Sequence, residues 1–338
     1  METAQLIKTA KELVAPNKGI LAADESSGTI KRRFDSINVE STESNRRDYR
    51  EMLFRAPGSS NYISGVILYE ETLQQKSSDG SPMVNILVDQ GIIPGIKVDT
   101  GAKPLAGAPD ETITEGLDGL RDRLQNYQNL GARFAKWRAT ISIGESLPSD
   151  YCIDVNAHAL ARYAALCQEV GLVPIVEPEV LMDGTHTIDE CKEATKRTLI
   201  KVYETLKSQR VLLEATLLKP NMVLSGKDAI QRAEPDEVAE YTVDCFMNSV
   251  PADVPGIVFL SGGQGDLESV ENLNAINVLA KNKSAPWELS YSYGRGLQAA
   301  PLKAWSGDSD NLQVAQETYL KRCQETSDAR QGKFKPIY

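Results

Sequence analysis

A single (β/α)8 barrel is the fold predicted for this chain, and three observations predict it. Short apolar, β-branched runs recur about eight times, roughly 30 to 45 residues apart. Helical patterns fill most of the gaps between them. The runs also turn from apolar to charged at their C-terminal ends, where barrel enzymes keep their chemistry. With 338 residues, 41% of them hydrophobic, the chain can bury a core of that size. Alternating units of this length suit a barrel better than a doubly wound sheet. No Pro/Ser-rich linker interrupts them, so residues 1–338 are expected to form one domain. Its N-terminus should be a helix and its C-terminus a flexible tail from about residue 306.

Taken in order, Leu6, Ile7, Ala10, Leu13 and Val14 fall on one face of the N-terminal helix. The predicted strands cover residues 19–23, 63–68, 95–98, 132–137, 172–176, 211–215, 256–260 and 288–292. Residues 84–95 carry a candidate extra strand ahead of the third. Residues 156–171 and 190–209 show clear helical periodicity.

Composition excludes several functions. The net charge of −10 argues against nucleic acid or an anionic membrane as partner, because both reward a basic face. No stretch has the length of a membrane span. The N-terminus lacks the basic and apolar regions of a signal peptide, so the cytoplasm is the expected compartment; a processed plastid form would share these features. Cys152, Cys167, Cys191, Cys245 and Cys323 are odd in number and form no CxxC pair, which disfavours disulfides and structural zinc. Only two histidines, His158 and His186, are present, so no metal site and no cofactor are expected.

Within a strand, residues two apart share a face. One row is Phe134, Lys136 and Arg138, and a second is Val173, Ile175, Glu177 and Glu179. A third is Leu213, Ala215, Leu217 and Lys219, and each row ends in charge. Asp24, Lys97 and Asp99 end two further strands, while Ser261 and Arg295 follow two more. Any one of these could be a rim salt bridge; seven strands ending this way point to a site. A lysine at the end of an apolar segment, if held neutral, is a nucleophile towards carbonyls. Lys136 and Lys219 facing one mouth should repel each other, which favours a free amine on one of them. Glu177, Glu179 and Asp24 can move the protons of imine formation and hydrolysis. The glycine-rich turns at Ser261-Gly262-Gly263 and Gly294-Arg295 follow strands seven and eight, the usual phosphate seat of a barrel. The residues therefore describe a Schiff-base enzyme acting on a phosphorylated ketone.

These motifs identify a family. Ala23-Asp24-Glu25-Ser26, Gly95-Ile96-Lys97-Val98-Asp99, Ala135-Lys136-Trp137-Arg138 and Val176-Glu177-Pro178-Glu179 resemble class I fructose-bisphosphate aldolase. So do Leu217-Leu218-Lys219-Pro220-Asn221-Met222, Leu260-Ser261-Gly262-Gly263-Gln264 and Tyr293-Gly294-Arg295. The likeness runs in order from about residue 10 to residue 305. It implies that Lys219 attacks the C2 ketone of fructose 1,6-bisphosphate, a sugar bisphosphate, and that Glu177 shuttles the protons. It also implies that Asp24 assists loss of the C4 hydroxyl proton, that Lys136 sets the electrostatics, and that Glu179 is its neighbour. The resemblance puts the C1 phosphate on Ser261, Gly262, Gly263, Gly294 and Arg295. It offers Arg33, Arg46, Lys97 and Arg138, with Ser26 and Thr29, for the rest of the sugar. A homotetramer is implied in the same way.

Two departures stand out. Animal members carry a lysine beside the arginine matched by Arg33, whereas here the pair is Arg32-Arg33. The chain ends Lys335-Pro336-Ile337-Tyr338, keeping the terminal tyrosine that in the family aids enamine protonation. Sedoheptulose 1,7-bisphosphate is a second candidate substrate. The rival readings are a zinc-dependent aldolase, disfavoured by two histidines, another Schiff-base barrel such as a transaldolase, and a non-catalytic binding barrel.

Overall fold

The computed structural model describes residues 3–336. Helix α1 (Thr3–Leu13) precedes β1 (Gly19–Ala23). Then come α2 (Ser27–Asp35), α3 (Glu43–Phe54), β2 (Ile63–Leu68), α4 (Glu70–Gln74), α5 (Met83–Val88) and β3 (Ile93–Lys97). An antiparallel hairpin, β4 (Gly101–Pro104) with β5 (Thr112–Glu115), leads to α6 (Leu120–Asn129) and β6 (Phe134–Ile141). The second half continues with α7 (Asp150–Glu169), β7 (Val173–Val180), α8 (Ile188–Ser208), β8 (Leu217–Leu218) and α9 (Pro235–Met247). It closes with β9 (Gly256–Phe259), α10 (Asp266–Asn282), β10 (Glu288–Tyr293), α11 (Arg295–Trp305) and α12 (Leu312–Arg330). Every strand except the hairpin pair joins one parallel barrel, which closes where β10 pairs with β1.

Alternation along the strands divides the core in two. Ile20, Ala22, Ile67, Ile93, Phe134, Val173, Ile175, Ala215, Leu217 and Val258 point inward and form one buried cluster. Leu6, Ala10, Leu13 and Val14 of α1 belong to that same cluster, so α1 stoppers the barrel. Each fully buried Leu or Val there contributes about 1.5–3 kcal/mol as an upper bound. A methyl group on Gly65 would lie 2.7 Å from Leu13, and one on Gly256 2.6 Å from Val14, so glycine admits the stopper. The opposite strand faces, with Leu21, Val66, Ile96, Trp137 and Val176, pack under the helices.

Three predicted elements differ. Residues 84–95 are not an extra strand, because Met83, Ile86 and Leu87 share the buried face of α5 before β3 begins. Strand six moves from 211–215 to Leu217–Leu218, and Leu213–Ala215 is a 3-10 turn. The Gln168 amide accounts for this: it donates to the carbonyls of Leu212 and Ala215 and accepts from Leu212 N–H, occupying backbone groups that a strand would need. Much of the stretch expected as a tail from residue 306 is helical. Helix α12 runs to Arg330 with Ala315, Tyr319, Cys323 and Ala329 buried, and the Arg330 guanidinium donates to the Val14 carbonyl at 2.6 Å.

Candidate active site

The end of each inward row delivers its charge to one cavity of about 770 Å³ at the C-terminal mouth. Register decides which charges meet. Lys136 on β6 pairs with Lys97 on β3 and with Ile175 on β7, while Arg138 pairs with Glu177 and Thr140 with Glu179. Val176 pairs with Leu218, and the Lys219 N–H donates to the Val176 carbonyl at 2.8 Å, which sets Lys219 level with Glu177. Glu177 then stands between two amines. Its Oε1 is 3.1 Å from Lys219 Nζ and its Oε2 is 3.3 Å from Lys136 Nζ. Asp24, from the end of β1, reaches Lys136 Nζ at 2.7 Å. Lys136, Glu177 and Lys219 are each no more than 4% exposed.

The electrostatics sets the charge of Lys136. Burial alone would push the Lys136 ammonium down, but Asp24, Glu177 and Asp99 more than offset it and hold Lys136 well above the ordinary lysine range. Lys136 is thus a fixed cation, and mutual repulsion does not neutralise it. The carboxylates answer in kind. Burial raises Asp24, yet Lys136 and Lys219 overcome it and bring Asp24 down to about 2. Glu177 is likewise lowered, because Lys136, Lys219 and Arg138 outweigh its burial.

At one rim, Gly262, Gly263, Gly294 and Arg295 line the cavity with Ser261. Gly263 has φ +76°, and a methyl there would lie 2.4 Å from Met182 Cβ, so only glycine fits this turn. Arg295 opens α11, whose first N–H groups have no intrahelical acceptor, and its guanidinium donates to the Gln264 carbonyl at 2.9 Å. At another part of the rim, Lys97 is 2.7 Å from Asp99 Oδ1. There Arg138 pairs with Glu179, and the Ser26 and Thr29 hydroxyls are 3.2 Å apart.

Of the two arginines expected at the far end of the sugar, Arg33 lines the cavity and Arg46 does not. Arg33 pairs with Glu25, and a methyl on Gly294 would stand 3.7 Å from Arg33 Nη2, which places Arg33 beside the Gly294 turn. Arg46 is absent from the cavity wall: its Nε donates to Glu71 Oε2 at 2.9 Å and its Nη1 to the Ser41 carbonyl at 2.6 Å. Tyr338 lies outside the described residues. Among residues that sequence reasoning missed, Ser292 lines the cavity with a buried hydroxyl that has no partner among the described residues. The period-two row Ser290, Ser292 carried the signal. Glu25 and Tyr69 also line the wall, and no spacing rule marks them.

A closed parallel barrel with two lysine amines flanking one buried carboxylate at its mouth defines a barrel enzyme built for carbonyl chemistry. Comparison with known proteins carries this to a family. The family model for fructose-bisphosphate aldolase class-I matches residues 5–337. A probable fructose-bisphosphate aldolase class 1 of Xanthomonas campestris is 56% identical over 336 residues, 99% of this chain and 100% of the relative. The cytosolic fructose-bisphosphate aldolase 5 of Arabidopsis thaliana is 56% identical over 330 residues, 98% of this chain and 91% of that one. The solved fructose-bisphosphate aldolase of Plasmodium falciparum, in complex with TRAP and a small-molecule inhibitor, matches with a TM-score of 0.97. It is 47% identical, over 99% of this chain and 96% of that one. The chain belongs to the class I fructose-bisphosphate aldolase family, a lyase of glycolysis.

Proposed function

We propose that Lys219 is the amine that carries the aldol cleavage of fructose 1,6-bisphosphate. The observation behind this is the 3.1 Å contact of Lys219 Nζ with Glu177 at the top of an otherwise apolar barrel. The free amine attacks C2 of the open-chain sugar. Glu177, ionised at rest and 3.1 Å from Lys219 Nζ, accepts a proton from that nitrogen and passes it to the C2 hydroxyl of the carbinolamine, so that water leaves as the protonated imine forms. Asp24 accepts the hydrogen bond of the C4 hydroxyl and assists loss of its proton as C3–C4 breaks. The bond's electron pair passes to the protonated imine, giving an enamine and free glyceraldehyde 3-phosphate. Protonation at C3 and hydrolysis then release dihydroxyacetone phosphate. Lys136, a fixed cation, keeps Asp24 and Glu177 ionised between steps, with Glu179 and Arg138 paired beside it.

Ser261, Gly262, Gly263, Gly294 and Arg295 suit the C1 phosphate, with backbone N–H groups and one guanidinium on the same side. Arg33, beside Gly294, joins that end. Lys97, Arg138, Ser26 and Thr29 suit the C6 phosphate. A homotetramer in the cytoplasm is the assembly and location that family membership favours; relatives are named as cytosolic isozymes.

Borohydride reduction with and without fructose 1,6-bisphosphate, read by peptide mass spectrometry and residual activity, tests the mechanism. Substrate-dependent inactivation with the adduct on Lys219 is expected. Turnover with no adduct on any lysine would overturn the assignment.

A further inference from the structure

The first turn of α11 carries Gln298, a buried side chain the mechanism does not use, 1% exposed and three residues beyond Arg295. Its amide nitrogen donates to the Ala22 carbonyl at 2.6 Å and to Glu25 Oε1 at 2.9 Å. Its amide oxygen accepts from the Tyr49 hydroxyl at 3.1 Å. Glu25 Oε1 in turn takes Arg33 Nη1, and the Glu25 carbonyl accepts from Arg50 Nη2 at 2.9 Å. Among the described residues Glu25 Oε2 is buried with no partner, so there the orientation of its carboxylate rests on Oε1. Its two Oε1 donors are Gln298, fixed by α11, and Arg33, which faces the cavity.

We propose that Gln298 is a positioning residue for substrate binding: it fixes the Glu25 carboxylate, which holds the Arg33 guanidinium beside the Gly294 turn. The chain of contacts Tyr49–Gln298–Glu25–Arg33 joins α3, α11, the end of β1 and α2. The end of β1 that supplies Asp24 and the helix that supplies Arg295 are thereby tied through one amide. A glutamine suits this task because it donates twice and carries no charge next to a carboxylate. A glutamate there would set two buried carboxylates against each other.

The inference rests on the reading of Arg33 as a ligand for a substrate phosphate, and its test separates the two. Gln298→Met keeps the volume and removes both donors. The expected result is a rise of about tenfold in KM for fructose 1,6-bisphosphate, the scale of a lost hydrogen bond to a charged group, with kcat within about twofold. In an Arg33→Ala background the same substitution should add almost nothing, since its route of action is gone. Additive effects of the two substitutions, or a loss confined to kcat, would overturn the proposal. An unchanged KM in Arg33→Ala alone would instead remove Arg33 from the phosphate site, and the proposal with it. Should Gln298→Met not fold, Tyr49→Phe serves, because it removes only the hydroxyl that orients the amide. A KM raised about threefold and abolished by Arg33→Ala supports the chain of contacts, and an unchanged KM overturns it.

Discussion

Replacing Glu177 by glutamine tests the centre of the site with little change of shape. The carboxylate now gives one oxygen to Lys219 at 3.1 Å and the other to Lys136 at 3.3 Å. An amide can offer its oxygen to only one amine and must turn its NH2 towards the other, donor against donor. At least one charge-assisted contact is lost, which costs about 1.5–3 kcal/mol of stability. Catalysis suffers separately, because an amide cannot carry the protons of imine formation. Loss of a positioned acid–base group lowers kcat by about 10²–10⁴, or about 2.7–5.4 kcal/mol in the barrier. The assay is kcat and KM on fructose 1,6-bisphosphate, the rate of substrate-dependent borohydride trapping, and the thermal midpoint. We expect kcat to fall by that range, KM to change little, and trapping to slow in parallel. A folded Glu177→Gln enzyme with kcat within about fivefold of the parent would show that Glu177 does not carry these protons. So would a loss that falls wholly on KM.

Two further predictions concern stability. A methyl on Gly95 would meet the Phe134 ring at 2.2 Å, so Gly95→Ala should cost about 1–3 kcal/mol in urea unfolding, and an unchanged midpoint would show the ring is free to move. Asp24 is depressed from 3.8 to about 2, so its contribution is present above the unfolded value and is lost as pH falls from about 4 through about 2. On the order of 2 kcal/mol is at stake, and Asp24→Asn should remove that part of the acid dependence; an identical pH slope in both proteins would contradict the pairing with Lys136.

Much of the site was legible because strand alternation and barrel polarity are local rules. Lys136, Glu177 and Lys219 lie in the charged ends of three inward rows, and those rows can be counted along the chain. Arg33 and Arg46 show where counting stops. Both are arginines on helices that follow β1, yet one turns to Glu25 at the cavity and the other to Glu71 away from it. Nothing local separates them, since the choice depends on which carboxylate a distant element supplies. The sixth strand failed for a similar reason. An apolar run at 211–213 reads as strand, but Gln168 on α7 captures its backbone groups first.

The barrel, the polarity of its ends and the residue types available for imine chemistry are all readable along the chain. Periodicity of apolar side chains encodes all three, and periodicity needs no partner. Which groups are charged, and which groups they touch, follows from the folded arrangement. Lys136 looked like one of two repelling amines, and it became a fixed cation once Asp24 arrived from across the barrel. Charge state in a buried site is set by neighbours within a few ångströms, and those neighbours come from strands far apart in the chain.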